Sequence, residues 1–251
     1  MLFQLLHISK TYLQPASTGL PRLTYEWEKP EIKHARKQLE ETSMSKPENT
    51  NGVEDQASQP QGKVKISKAM IELLKVKDFS SITTSDIAKQ SGVNEALIYR
   101  YYGDKRGLLH QVLAQSLKRF MEQVELDLKG IKGAVNKLRK LIWRTVYAYN
   151  LDRTFSKILL LEVRSFRAYY ESNTYDQSRA FGRTLMEIIE EGVENGELRK
   201  DISTITMRQA VLGVIEHVCL PAIIFQKEMP TDTFTDEICE LLFNGIQPKK
   251  P

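Results

Sequence analysis

Between residues 83 and 105, hydroxyl, phenol and ammonium groups recur at offsets suited to holding phosphate. Thr83 and Thr84 stand side by side, Tyr99 and Tyr101 follow on a second short segment, and Lys105 closes the stretch. A hydroxyl beside the free N–H groups of a helix N-terminus can hold one phosphate oxygen, while tyrosine and lysine groups hold others. Such contacts set register on a duplex and carry no sequence information. Glu95, Ala96, Leu97, Tyr99, Arg100 and Tyr101 are the exposed candidates on the second segment. A carboxylate at Glu95 can accept from a cytosine amine, or serve only to favour a helix N-terminus.

The elements that must position these groups follow from periodicity and punctuation. Ile66, Ala69, Met70, Leu73 and Leu74 form one helical stripe, predicting a first helix that ends near Asp78, with Phe79 and Ile82 covering its end. Thr83 with Asp86 is a capping box that opens a short helix over residues 84–91, and Gly92 breaks it. Asn94 caps a third short helix reaching about Tyr102. Gly103, Asp104 and Lys105 start a long fourth helix with Leu108, Leu109, Val112, Leu113, Leu117, Phe120 and Val124 inside. Ile87, Ala88, Val93 and Ile98 supply the small core between the two short helices, with Ala88 small where they cross. This is the anatomy of a helix-turn-helix, whose second helix can lie in a major groove. Of the crowded tyrosines, Tyr102 is expected inside and Tyr99 outside; Lys105 is favoured as a contact and Arg106 is left open.

Charge agrees with that reading. Residues 63–110 hold nine lysines and arginines against five acids, and this +4 balance equals the net charge of the whole chain. Catalysis finds little support. His7, His34, His110 and His217 have no paired spacing, no glycine loop cradles a phosphate, and no nucleophile sits in a known elbow. His217 is read as a core or interface residue. Cys219 and Cys239 show no metal or disulfide spacing and are read as buried thiols, with no metal and no cofactor expected. No run of roughly 18 apolar residues occurs, and the opening residues lack a signal-peptide pattern. The expected setting is cytoplasmic, with no membrane contact.

The string Thr83-x-x-Asp86-Ile87-Ala88, then Gly92-Val93, then Ile98-Tyr99-x-Tyr101-Tyr102-x-x-Lys105-x-x-Leu108 resembles the TetR family of bacterial repressors. The likeness runs over residues 63–246. It implies that Ser85, Glu95, Ala96 and Leu97 face bases, and that Thr83, Thr84, Tyr99, Tyr101 and Lys105 hold phosphates. Three departures stand out: Lys77-Asp78-Phe79 where Gly-Phe is usual, Ala96 for a frequent glycine, and Leu97 for a small or hydroxyl residue. They leave the fold intact and the operator unspecified.

Further helices are expected at about 133–150, 153–168, 174–195, 203–227 and 233–246, with Ser203 capping one, Thr233 or Thr235 capping the last, and Pro221 kinking the penultimate. Leu161-Glu162-Val163-Arg164, the segment 190–198 and the segment 240–246 look like repressors of fatty-acid degradation genes, which respond to long-chain acyl-CoA. The resemblance implies an effector pocket, for which Trp143, Tyr147, Phe155, Arg164 and Phe166 are the candidates, with Arg164 or Arg167 available to phosphates. A hydrophobic drug is the alternative effector. Val211, Val214, Ile215, Val218, Phe234, Ile238, Leu241 and Leu242 form wide apolar faces on the last two helices and are the expected homodimer interface. Two reading heads about one DNA turn apart, ~34 Å, are what a palindromic operator requires.

The expected architecture is all-α: a poorly structured extension over 1–62, a three-helix helix-turn-helix DNA-binding domain over 63–110, a helical effector-binding and dimerisation domain over 111–246, and a tail over 247–251. Partners would be double-stranded operator DNA, a second copy and a hydrophobic small molecule. A helical interaction module without DNA binding is the competing reading.

Overall fold

The computed structural model describes residues 60–245, and the expected extension and tail lie almost wholly outside them. Nine α-helices occur among the described residues: α1 (Gln61–Leu74), α2 (Thr84–Ser91), α3 (Ala96–Tyr102), α4 (Lys105–Leu128), α5 (Ala134–Leu151), α6 (Arg153–Lys157), α7 (Asn173–Glu194), α8 (Thr204–Phe225) and α9 (Thr231–Asn244). Local chemistry sets most of their boundaries. Thr83 accepts from the Asp86 N–H while the Asp86 carboxylate accepts from the Thr83 N–H, completing the capping box. Gly92 ends α2 at φ 65°, a left-handed conformation that glycine adopts without strain. Asp104 caps α4 by accepting from Gly107 N–H, and Ser203 caps α8 by accepting from Thr206 N–H.

Three expectations change. The first helix stops at Leu74, and a 3-10 turn at Phe79–Ser81 follows before Ile82 and Phe79 close over its end. The helix expected over 153–168 breaks into α6, a π turn at Ile158–Glu162 and 3-10 turns at Val163–Ser165 and Arg167–Glu171. Neither Thr233 nor Thr235 caps the last helix, which starts after Pro230; Thr235 is buried and donates to the Thr231 carbonyl.

Two apolar cores organise the chain. One gathers Ile66, Met70, Ile82, Ile87 and Ile98 of the head with Leu109, Leu113 and Leu117 of α4, and with Ile158, Leu159, Val163 and Tyr169 of the irregular segment. The other joins Val124 at the far end of α4 to Leu138, Ile142, Leu185, Ile189, Val211, Ile215, Cys219 and Ile238. Apolar packing therefore runs straight across residue 110, and the irregular segment is keyed into the head. Both cysteines are buried, and burial pushes the thiols up to about 12 for Cys219 and about 11 for Cys239, as expected of unreactive core thiols.

Helix α8 is long and apolar enough, by length and composition, to cross a membrane, with a mean hydropathy of 1.4 over its eighteen-residue window. It nevertheless carries Glu216, which is ion-paired, and it sends Val211, Ile215, Cys219, Ala222 and Ile223 into the second core. Its other faces stay partly uncovered in the single chain, where only 28 % of that window is buried.

His110 sits at the seam on α4, 9 % exposed, with neither ring nitrogen hydrogen-bonded to a protein group and its ring stacked 6.3 Å from that of Tyr169. Burial, then the nearby Arg106 charge, lowers its pKa, while Asp104 opposes the shift. The unfolded chain therefore takes up this proton first as pH falls below about 6.5, so folded stability declines from there downward. His110→Leu should flatten the dependence of melting temperature on pH between 7 and 5 relative to the parent. Equal slopes in the two proteins would remove His110 from the account.

Candidate nucleic-acid interface and effector domain

The reading face is assembled from α2, the Gly92 turn and α3. Thr83 is exposed, and its hydroxyl oxygen accepts from Asp86 N–H at 3.0 Å. Asp86 in return has its carboxyl held below the usual range, first by the Thr83 backbone N–H and then by the Thr83 hydroxyl and Lys77. Thr84 donates to Glu95 Oε1 and lies 3.2 Å from Tyr99 Oη, so one residue of α2 is tied to two around α3. Asn94 caps α3 by accepting from Ala96 N–H at 2.8 Å. Ser85, Ala96, Tyr99 and Arg100 are exposed.

The remaining candidates are more enclosed. Leu97 is half-buried against the head core, and a Cβ built on Gly62 would lie 4.0 Å from it and 3.5 Å from the Tyr101 ring. The start of α1 thus covers part of both side chains. Tyr101 also lies under Lys63 Nζ at 5.5 Å and packs edge-on to Tyr102. Tyr102, expected inside, is half-buried; its phenol donates to the Lys63 carbonyl at 3.1 Å and accepts from Ser67 at 3.0 Å, locking the end of α3 to α1. Tyr99, expected outside, is 51 % exposed.

Lys105 departs from its expected place. Its ammonium donates to the carbonyls of Phe79, at 2.9 Å, and Ile82, reaches Ser80 O at 3.5 Å, and lies over the Phe79 ring at 4.5 Å. Partial burial is the main cause lowering its pKa. The Phe79 carbonyl also accepts from Ile82 N–H, so Lys105 adds a second donor there and braces the 3-10 turn that precedes α2. Arg106, left open by the sequence, lies over Phe166 at 3.9 Å and links the start of α4 to the irregular segment.

Gly107 had no visible signal in the sequence. A Cβ there would stand 2.1 Å from the Tyr102 carbonyl oxygen, so α3 and α4 approach too closely for any side chain. Only its place in the first turn of a capped helix hinted at it.

The five expected pocket residues are not gathered into one site. Trp143 and Tyr147 stack at 5.1 Å on the outer face of α5, with Lys140 over the indole at 4.2 Å and the indole N–H donating to Asp232. They point outward because Leu138, Leu141, Ile142, Thr145 and Val146 already fill the inward face. Phe155 packs against the head core and Phe166 lies under Arg106. Arg164 is bonded through both terminal nitrogens to Glu216 at 2.8 Å each; burial, the largest single influence, lowers its pKa, and the hydrogen bond and charge of Glu216 together more than reverse it. Its charge is therefore neutralised within the chain, while Arg167 is exposed and 4.0 Å from Glu171. Tyr149 lies close enough to this pair to feel both charges, and burial pushes its phenol up. Phe120 of α4 and Phe181 of α7 meet edge-to-face at 5.4 Å against the second core. A separate cleft of about 290 Å³ lies between the head and the irregular segment, lined by Leu74, Lys77, Phe79, Lys157, Ile158 and Glu162 among others.

The expected interface residues divide between two faces. Val211, Ile215 and Ile238 are 5 %, 1 % and 1 % exposed and belong to the chain's own core. Val214, Val218, Phe234 and Leu242 are half-buried, and Leu241 is exposed. His217 is exposed beside them, so it is not a core residue of the chain. No group of three His, Cys, Asp or Glu side chains suited to a metal occurs among the described residues.

Comparison with known proteins follows the same division. Residues 66–112 match the model of bacterial regulatory proteins of the tetR family, and residues 113–245 match the YsiA-like C-terminal region. A fatty acid metabolism regulator protein of Bacillus subtilis is 24 % identical over 186 residues, covering 74 % of this chain and 96 % of that protein. The crystal structure of FadR from Bacillus subtilis in complex with stearoyl-CoA superposes with a TM-score of 0.67 at 24 % identity, covering 73 % of this chain and 99 % of that one. The fatty acid degradation regulator FadR of Bacillus halodurans superposes with a TM-score of 0.68 at 19 % identity, over 76 % of this chain and 98 % of that one. With its helix-turn-helix, its helical second domain and both matched regions in register, the chain belongs to the tetR family of bacterial regulatory proteins and is a DNA-binding transcriptional regulator, not an enzyme.

Proposed function

We propose that this chain is a repressor that grips a palindromic operator as a homodimer and loosens that grip when a long-chain acyl-CoA enters its larger domain. The observation that carries the DNA reading is the single face on which Thr83, Ser85, Ala96, Tyr99 and Arg100 stand exposed around the Gly92 turn. Thr84 and Glu95 belong to the same face through their mutual hydrogen bond. Leu97 and Tyr101 take part through the edges that α1 leaves open. Lys105 acts from behind, by fixing the turn that presents Thr83, and reaches a phosphate only if it gives up a carbonyl.

The acyl-CoA assignment is supported by the relative solved with stearoyl-CoA, whose chain is matched through 99 % of its length. The apolar chain would lie in the second core near Phe120, Val124, Phe181 and Leu185, with Tyr149 and the Arg164–Glu216 pair at its polar end. Trp143 and Tyr147 take no part, and a drug-like effector has no feature in its favour. The dimer would form through the outer faces of α8 and α9, because a helix apolar on nearly all sides must be covered on nearly all sides. Val214, Val218, Leu241 and Leu242 supply that surface, and Ile224 and Phe225, 38 % and 67 % exposed, extend it. Residues 63–110 serve as the reading head and 111–246 as the sensing and pairing domain, in the cytoplasm with the DNA.

Fluorescence anisotropy on palindromic DNA upstream of the chain's own gene, with and without stearoyl-CoA, tests both halves of the proposal. Tight binding weakened at least tenfold by micromolar stearoyl-CoA is expected. Tight binding that the ligand leaves unchanged would remove the lipid effector, and no binding to any duplex at low salt would remove the repressor reading. Val218→Arg should convert the dimer to monomer in sedimentation experiments and lower affinity for the palindrome by about a hundredfold or more, since a single head loses the contacts of the second half-site. A dimer that survives this change would place the interface elsewhere.

A further inference from the structure

Three side chains on the reading face form one hydrogen-bonded chain whose direction can be worked out. A threonine hydroxyl has a single proton, and an ionised carboxylate can only accept. The Thr84 proton is therefore committed to Glu95 Oε1. The 3.2 Å contact between Thr84 Oγ1 and Tyr99 Oη then requires the phenol to donate. Both protons run inward, from Tyr99 to Thr84 to Glu95. The groups left without a committed donor are lone pairs on the oxygen of Tyr99, a residue 51 % exposed, and the second carboxylate oxygen of the half-buried Glu95.

A corner that shows only acceptors repels a phosphate oxygen and matches a donor. In the major groove the donors are the exocyclic amines of cytosine and adenine, whereas guanine O6 and N7 and thymine O4 are acceptors. We infer that Glu95 is a specificity-determining residue: it holds the Thr84 and Tyr99 hydroxyls in an acceptor-outward orientation, so this corner selects an amine-bearing base edge and disfavours bare phosphate. The inference rests on the DNA-binding reading above and deepens it. It also revises the roles that resemblance gave Thr84 and Tyr99, since neither has a free proton for phosphate while Glu95 holds its place. Thr83 stays exposed on this helix end, with its hydroxyl engaged by Asp86.

Glutamine at position 95 would undo the polarity, because its amide N–H can donate to Thr84 and turn both hydroxyl protons outward. The test uses the full chain with Glu95→Gln, Thr84→Val, the double variant, and Glu72→Gln as a control that removes the same charge from the exposed face of α1. Each protein selects from duplexes with a randomised core. Affinities for the parent's selected duplex and for the unselected pool are then measured at one salt concentration. Glu95→Gln should lower the ratio of selected to unselected affinity about tenfold and erase a cytosine or adenine preference at one position in each half-site. In the Thr84→Val background the same change should have little effect, since the chain it reverses is already cut. Glu72→Gln should leave the selected sequence as it was. Selection of the parent's sequence by Glu95→Gln with an unchanged ratio, or an equal effect from Glu72→Gln, would overturn the inference while leaving DNA binding intact. Failure of the parent to bind any duplex would overturn the DNA-binding reading itself, and this inference with it.

Discussion

A single 24-residue helix, α4, belongs to both hydrophobic cores, so the packing of the head and of the second domain meets on one rod. Leu109, Leu113 and Leu117 of α4 pack with the head, while Val124 packs with the sensing domain. At 1.5 Å per residue the helix is a rod about 36 Å long. Its first turn carries Lys105, which holds the 79–82 turn, and Arg106, which lies on Phe166. Close-packed cores shift between discrete arrangements and do not deform continuously. A ligand that prefers one arrangement of the second core therefore biases where the rod points, by no more than its differential affinity for the two.

The irregular segment between α6 and α7 gives this rod a second hold. Ile158, Leu159 and Val163 enter the head core, while Arg164, next in sequence, is fastened to Glu216 on α8. Leu160 of the same segment packs with the other core. A stretch that must serve two cores within seven residues cannot keep one helical face, and the π turn at Ile158–Glu162 is how the backbone meets both. The Arg164–Glu216 bond then joins the segment directly to α8, the helix proposed as the dimer surface.

Punctuation made much of the fold legible in the sequence. Thr83 with Asp86, Gly92, Asn94, Asp104 and Ser203 act through bonds to backbone groups within three residues or through their own dihedral angles, so their effect is local and readable. The reading face was legible for the same reason, since it hangs from those caps. What could not be read depends on tertiary context. The run Ile158-Leu159-Leu160 is apolar in any register, and periodicity has no means of placing a π turn in it. On α8, apolar residues occur on every side, so nothing local separates Val211 and Ile215, which are fully inside the core, from Val214 and Val218, which pack against it only in part. The aromatic count misled at Trp143 and Tyr147, because the aliphatic residues of α5 suffice to fill its inward face. Motif and charge together point Lys105 toward phosphate, whereas the carbonyls that capture it come from residues more than twenty positions away.

Coupling of sensing to DNA release requires that effector in the larger domain move the reading heads. Val76 is 77 % exposed at the end of the head, and the native Cys219 and Cys239 are both fully buried, so Val76→Cys offers one spin-label site per protomer in an otherwise unaltered chain. Pulsed electron spin resonance would measure the label-to-label distance in the dimer on operator DNA, free, and with stearoyl-CoA. A narrow distribution is expected on DNA, with a shift of several ångströms on adding the ligand, as the two α4 rods swing. One unchanged distribution under all three conditions, in protein that still releases DNA when the ligand is added, would contradict this coupling.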